Sequence, residues 1–389
     1  MRIKRFEFES TQSRWRLSPV SFSDLTLLVG LSGVGKTRIL KSINSLVGVS
    51  EGKSRSGIKW SIDFLDDEGR DCTWSGEFER LDEAELVHEQ FEFMSDEDGL
   101  EKKKARLISE QVIVSGKIVV NRTSDMIAFQ GTKMPKLSPH ESVVSLFKEE
   151  DEIRPVAKSF SRIVYSYRAE LVGFDRMFAL TNSDRLAKKY RDIEAVKQSS
   201  LSALAKLYLA DIVDRKVFNE ISDRFVGVFP NVEEVSFAKF DKDGAPDFFP
   251  SAVYVRIKER GVQDFIAQKD ISSGMLRTLS HLAELYLSPP GTVILIDEFE
   301  NSFGVNCIDA VTEDLLDASS NIQFIITSHH PYIINNVSAD FWKVVCRNGS
   351  EVNVVDAADL GIGASSHDAF LQLLNSDRYI SGISACESK

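Results

Sequence analysis

LVGLSGVGKTRIL, residues 28–40, is the stretch on which the fold turns. It contains Gly30-x-x-x-x-Gly35-Lys36-Thr37, the spacing of a phosphate-binding loop. Leu25 to Val29 predicts a buried strand running into the loop, and Thr37 to Leu46 a helix leaving it. Strand, loop and helix in that order are the context the motif needs. Glycines let the backbone N–H groups of residues 30–35 (Gly30, Ser32, Gly33, Val34 and Gly35 among them) turn toward phosphate oxygens, where a Cβ would clash. Lys36 would reach the outer phosphates, and the Thr37 hydroxyl would hold Mg²⁺. A glycine-rich turn before an ordinary helix fits the same pattern, so the loop alone does not decide the function.

Around it the chain changes character several times. Ile3 to Phe8 predicts a first strand. Ile58, Trp60, Ile62 and Phe64 alternate with polar residues, DDEGR makes a turn, and Cys72, Trp74 and Phe78 alternate back. QVIVSGKIVVNR predicts a second hairpin turning at Ser115-Gly116. Between them MSDEDGLEKKKAR (94–106) is acidic and then basic, the pattern of a solvated segment. Leu209, Val213, Val217, Ile221 and Phe225 recur at intervals of four, placing them on one helical face in an insert that Pro230 ends. Short strands are expected at 234–240 and 252–258.

The bulk numbers exclude more than they assign. The 389 residues are 43% hydrophobic and 27% charged, with a formal net charge of -12. That charge gives no global attraction to nucleic acid or an anionic membrane, although it leaves room for a local basic patch. The four cysteines, Cys72, Cys307, Cys346 and Cys386, show no C-x-x-C pair, so reduced thiols in a cytoplasmic protein are expected. No apolar run is long enough to span a membrane.

Later motifs bear on the loop. TVILIDEFEN (292–301) is a buried strand ending in Asp297 and Glu298, which delivers two carboxylates to a sheet edge. Asp297 suits a metal ligand and Glu298 a general base on water; a strand with a polar end is the plainer alternative. DISSGMLRTLSHLAELYL opens on Ser272-Ser273-Gly274 and continues as an amphipathic helix, an anion site or simply a cap. NIQFIITSHHPYIINN is a buried strand ending at His329. Gly274 precedes Asp297 by 23 residues (297 − 274), and His329 follows it by 32 (329 − 297). Those gaps leave room for one helix and a turn, and for one helical crossover.

Taken in this order, the motifs resemble those of ABC-type ATPase heads: transporter cassettes, chromosome-maintenance (SMC) ATPases, the RecF recombination mediator and the OLD family. The resemblance identifies GLSGVGKT as Walker A, ISSGM as the signature, VILIDE as Walker B, His329 as the switch histidine and ENSF (300–303) as the D-loop. The S-S-G-x-x-R signature (Ser272 to Arg277) and D-E-x-E-N look most like stand-alone AAA-type ATPases of prokaryotic antiviral defence operons. Met275 and Ser273 depart from the transporter pattern, as do the 236 residues (272 − 36) between Lys36 and Ser272. No glutamine loop is assigned; Gln130 is a candidate that a surface residue explains as well.

The resemblance implies an α/β fold: an ABC-type P-loop NTPase head with an antiparallel β subdomain, a mainly parallel core sheet and a helical insert. The expected domains are an N-terminal lobe (1–170), the insert (171–230) and a C-terminal lobe (231–389). It also implies a slow ATPase using ATP and Mg²⁺, with Glu298 and His329 catalytic. Lys36 and Thr37 of one subunit would hold the nucleotide, and Ser272, Ser273 and Gly274 of a second copy would complete the site. The expected partners are a second copy, as a head-to-head dimer or higher oligomer, and a separate effector protein; no membrane is expected. A DNA-binding ATPase of the RecF kind stays open, with Arg185, Lys188, Lys189 and Arg191 as its best basic candidates. Sixty residues follow His329 (389 − 329), too few for the nuclease domain of OLD-family nucleases, and Asp63, Asp66, Asp67 and Glu68 fall in a hairpin turn.

Overall fold

The computed structural model describes residues 1–82, 103–166, 183–239, 253–300, 312–314, 321–362 and 366–376. Most of the segment 94–106, residues 301–303 of the expected D-loop, Cys307 and Cys386 lie outside the described residues. Packing divides the chain into two units, which do not follow three consecutive lobes. The first joins residues 1–165 to 291–296 and 323–389, and the second joins 166–290 to 297–322.

The first unit is built on one mixed sheet. Its early strands are β1 (Arg2–Ser10), β2 (Trp15–Ser21), β3 (Leu25–Val29), β4 (Ile58–Leu65) and β5 (Asp71–Phe78). Then come β6 (Leu107–Val114), β7 (Lys117–Thr123), β8 (Ile127–Phe129), β9 (Thr132–Lys133) and β10 (Ile163–Ser166). After β11 (Val232–Lys239), β12 (Val253–Glu259) and β13 (Ile266–Ala267), it is completed by β14 (Val293–Ile296), β15 (Gln323–Thr327), β16 (Trp342–Asn348) and β17 (Glu351–Asp356). Its order is β10-β14-β15-β3-β16-β17-β2-β1-β4-β5-β6-β7-β8-β9. The pairs β14–β15, β15–β3 and β3–β16 are parallel; from β2 outward to β9 every pair is antiparallel. The expected antiparallel subdomain and parallel core are therefore present, but as two halves of one continuous sheet.

Sequence periodicity explains these halves. β4 alternates buried and half-exposed residues, as a strand covered on one face must, whereas all residues of β3, β14 and β15 are buried. The hairpin at Ser115-Gly116 forms as expected, with φ of 48° and 76° at its two turn residues. β2 is a strand the composition hid, because Pro19 stands within it. The β1–β2 register slips between Phe6 and Phe8, opposite the segment holding Pro19, so the missing N–H falls at an irregularity. The acidic turn after β4 is neutralised. Asp66 accepts from the N–H groups of Glu68 and Arg70, both at 2.9 Å, and from Arg70 Nε at 2.7 Å. Asp67 is paired with Lys158 and Arg162. Burial and the nearby Asp66 charge push the Cys72 thiol up to about 12, so it is no nucleophile. Glycine-containing Gln130-Gly131 turns between β8 and β9, and Gln130 is exposed there.

The second unit pairs a small sheet, β11-β12-β13, with helices. The expected period-four face is split between two of them. With α1 (Lys36–Ser50) as the first labelled helix, these are α2 (Ala203–Val213) and α3 (Arg215–Val228). Asp214 breaks the run: it leaves helical geometry and caps α3, its side chain accepting from Val217 N. Phe218, Ile221, Phe225 and Val228 form the buried stripe of α3. α4 (Ser273–Leu287) packs Leu276, Leu279, Leu282 and Leu287 into the same core, each burial contributing about 1.5–3 kcal/mol. Arg185, Lys188, Lys189 and Arg191 each keep solvent-accessible surface, as a solvated face requires.

Candidate functional site

The loop between β3 and α1 has the geometry its glycines allow. Gly30 has a φ of 153°, and a Cβ there would meet the carbonyl oxygen of Val345 at 2.6 Å, so only glycine lets β16 close against the loop. Gly33 has a φ of 86°, and a Cβ there would have nothing within 4 Å; its backbone alone demands glycine. Ser32 and Gly33 are exposed, Val34 is buried, and Gly35 stands at the N-cap of α1 with a φ of 115° and no side-chain cap. The first-turn N–H groups of α1 therefore get no capping bond from that residue. Lys36 folds back along the loop, Nζ donating to Gly30 O at 2.6 Å and Leu31 O at 3.0 Å. Thr37 follows it, half-buried.

Within the first unit, β15 brings Ser328 and His329 to the edge that the loop leaves. The parallel register matches Thr327 with Leu28 and Ile326 with Ile296. Ser328 N donates to Leu28 O at 3.3 Å, and exposed His329 follows it as Gly30 follows Val29. β14 ends at Ile296, and Asp297 and Glu298 are the next two residues, both half-buried. Glu298 has a φ of 49°, left-handed backbone that costs a non-glycine residue about 1–2 kcal/mol. Strain of that kind gathers at functional positions.

In the second unit, Ser272 caps α4, its hydroxyl accepting from Met275 N at 3.2 Å. Ser272 and Ser273 are exposed and Gly274 is half-buried. Arg277, part of the S-S-G-x-x-R pattern but given no role by it, is 5% exposed and donates to Asp297 O at 3.5 Å. It ties α4 to the segment that carries both carboxylates. The second residue missed from sequence is Val345, whose carbonyl fixes Gly30; the Asn348-Gly349 turn between β16 and β17 was the signal for that hairpin.

Comparison with known proteins now decides the family. A family model described as "AAA domain, putative AbiEii toxin, Type IV TA system" matches residues 121–335, more than half of the chain. The chain belongs to this family. The matched segment holds Ser272 to Arg277, Asp297, Glu298 and His329 and leaves out residues 30–37. The chromosome partition protein Smc of Methanocaldococcus jannaschii is 21% identical over 246 residues, which cover 59% of this chain and 21% of that protein. The chain thus spans about a fifth of that relative. Among solved structures, a Smc head bound to the C-winged helix domain of ScpA is similar at 13% identity and a TM-score of 0.48, covering 91% of this chain and 97% of that one. The SMC head domain of Thermotoga maritima is similar at 15% identity and a TM-score of 0.44, covering 92% and 99%. The family match and the Smc likeness bear out the expected resemblance to ABC-type ATPase heads of the SMC class. Among the described residues, no helix is long and apolar enough to cross a membrane.

Proposed function

We propose that this AAA-family chain is a cytoplasmic ATPase that binds ATP and Mg²⁺, dimerises head-to-head around the nucleotide and thereby regulates a separate effector protein in antiviral defence. The observation that carries the reading is the parallel set β14-β15-β3, from whose C-terminal ends the carboxylate pair, the Ser328-His329 pair and the glycine loop depart. The family's description, an AAA domain of a toxin–antitoxin system, favours an ATPase that works with a second protein.

On this reading the loop receives the phosphates on backbone N–H groups of residues 30–35 and at the N-terminus of α1. Lys36 exchanges its two carbonyl bonds within the loop for charge-assisted bonds to the outer phosphates, which are about twice as strong. The Thr37 hydroxyl and the Asp297 carboxylate are hard oxygen donors that suit Mg²⁺, whose charge neutralises phosphate oxygens when bound. Glu298 accepts the proton of the attacking water. His329 and, from a second copy, the Ser272 hydroxyl and Gly274 N–H meet the charge that develops on the γ-phosphate. Because ATP gains contacts from the second copy only in the closed dimer, it acts as a differential ligand for that state.

The test is sedimentation with Mg-ATP. Lys36→Ala is expected to lose ATP binding at the loop and stay unassociated, and Glu298→Gln to bind ATP, lose turnover and accumulate as a dimer. Unchanged turnover in Glu298→Gln would remove it as the base. Tagged Glu298→Gln purified from its native host should bring down a second protein at fixed stoichiometry that survives nuclease. Nuclease-sensitive DNA without a protein partner would favour the RecF-kind reading instead.

A further inference from the structure

Arg277 stands in the second turn of α4 and is buried, although most side chains that share its burial on that helix are apolar, among them Leu276, Leu279, Leu282 and Leu287. A guanidinium taken out of water keeps its charge and has to be met by polar groups. One of its partners is the carbonyl oxygen of Asp297, 3.5 Å from Nη2. That bond is long, and the charge of its donor strengthens it. Both residues belong to the second unit.

The peptide unit that Arg277 meets is the one between the two carboxylate residues. The angle φ at Glu298 is the rotation of this unit about the Glu298 N–Cα bond, and it stands at 49°. A glutamate keeps left-handed backbone only where surrounding contacts oppose its relaxation. The β14–β15 ladder, paired as far as Ile296 and Ile326, stops one residue short of Asp297, so strand pairing does not hold the unit. Turning the unit over would change ψ at Asp297 and φ at Glu298 together while the chain on either side stayed in place. It would also carry the Asp297 oxygen away from the guanidinium. We propose that Arg277 is the positioning residue for the carboxylate pair, holding the peptide unit between Asp297 and Glu298 in its left-handed arrangement. Its part in turnover is indirect, through this unit alone, and rests on the reading of Asp297 as metal ligand and Glu298 as base.

Two measurements on the full chain test this, and the first needs no ATP. It is a double-mutant cycle in urea between Arg277→Met and Glu298→Gly. In the parent, Glu298→Gly relieves the left-handed strain; once Arg277 is replaced the unit has already relaxed, and nothing is left to relieve. The stabilising effect of Glu298→Gly on the unfolding equilibrium constant should therefore be smaller by roughly tenfold in the Arg277→Met background. The freedom that glycine adds to the unfolded chain is common to both backgrounds and cancels. Additive effects would mean that other contacts hold the backbone, and would overturn the proposal. The second measurement is steady-state turnover. Arg277→Met should lower kcat by up to about a hundredfold, the effect of a small misplacement of reacting groups. KM and the stoichiometry of ATP binding should change little, because residues 30–37 are untouched. Arg277→Lys, a charged donor without the planar fork, should recover part of kcat but not all, and it carries both measurements if the methionine variant does not fold. A parental kcat in the variant that folds, or a loss of kcat matched by an equal loss of ATP-binding sites, would overturn the proposal. Glu298→Gln keeps the two levels apart: full turnover there would remove Glu298 as the base, while the urea cycle still decides whether Arg277 holds the unit.

Discussion

At Gly30 two constraints meet, a φ of 153° and the Val345 carbonyl 2.6 Å from any Cβ. At Gly33 only the first kind applies, because nothing approaches within 4 Å. The two glycines therefore separate packing from backbone conformation. Gly33→Ala should cost about 1–2 kcal/mol, the penalty for left-handed backbone with a side chain. Gly30→Ala should add an overpacking cost of about 1–3 kcal/mol, because the obstructing atom is backbone and cannot rotate away. Urea unfolding of the two variants measures the difference; equal losses would mean that β16 does not hold the loop. Glu298 offers the complementary case. Its φ of 49° makes Glu298→Gly conformationally favourable. A variant that is at least as stable as the parent yet without ATP turnover is expected, and calorimetry beside a phosphate-release assay checks both halves.

Among the elements, the β4–β5 hairpin shows how an acidic cluster can be structural. Burial raises the Asp66 carboxyl, but hydrogen bonds from the Arg70 backbone and side chain and the Glu68 backbone, with the Arg70 charge, outweigh it and hold it below the usual carboxylate range. A depressed folded-state value stabilises the fold above the unfolded value near about 4 and loses that stabilisation as pH falls through the folded value. Asp66→Asn should cost about 1.5–3 kcal/mol at neutral pH, and the gap to the parent should narrow below about pH 4. Denaturant unfolding across that range reads it; a gap independent of pH would show that the charge is irrelevant. Hairpins of this sort were legible because alternation and turn chemistry are local. β2 was not, since Pro19 signals a break and only its slipped pairing with β1 accommodates it. Nor was the Asp214 break, because a period of four runs unaltered from Leu209 to Phe225 across two helices.

For the molecule as a whole, the proposed site needs two copies, and that can be tested without a structure of the dimer. Lys36→Ala lacks a working loop but keeps its signature. Ser273→Arg keeps its loop but carries a bulky side chain on the exposed start of α4, leaving the Ser272 cap in place. Each alone should be inactive. Mixed, they should recover part of the ATPase activity, because one of the two composite sites then has an intact loop and an intact signature. A mixture as inactive as its components would show that each chain completes its own site.

Period, turn chemistry and motif order, all readable along the chain, determined the strand–loop–helix unit, both hairpins, the helical character of the insert and the residues that carry the proposed chemistry. These depend on backbone geometry and burial within a few residues of each position. What joins at a distance was decided by tertiary structure alone. The parallel core and the antiparallel strands share one sheet, strand β16 backs Gly30, and Arg277 reaches the carbonyl of Asp297. No local pattern encodes such meetings, because each depends on which strands pair and in what register, and pairing is a property of the packed chain.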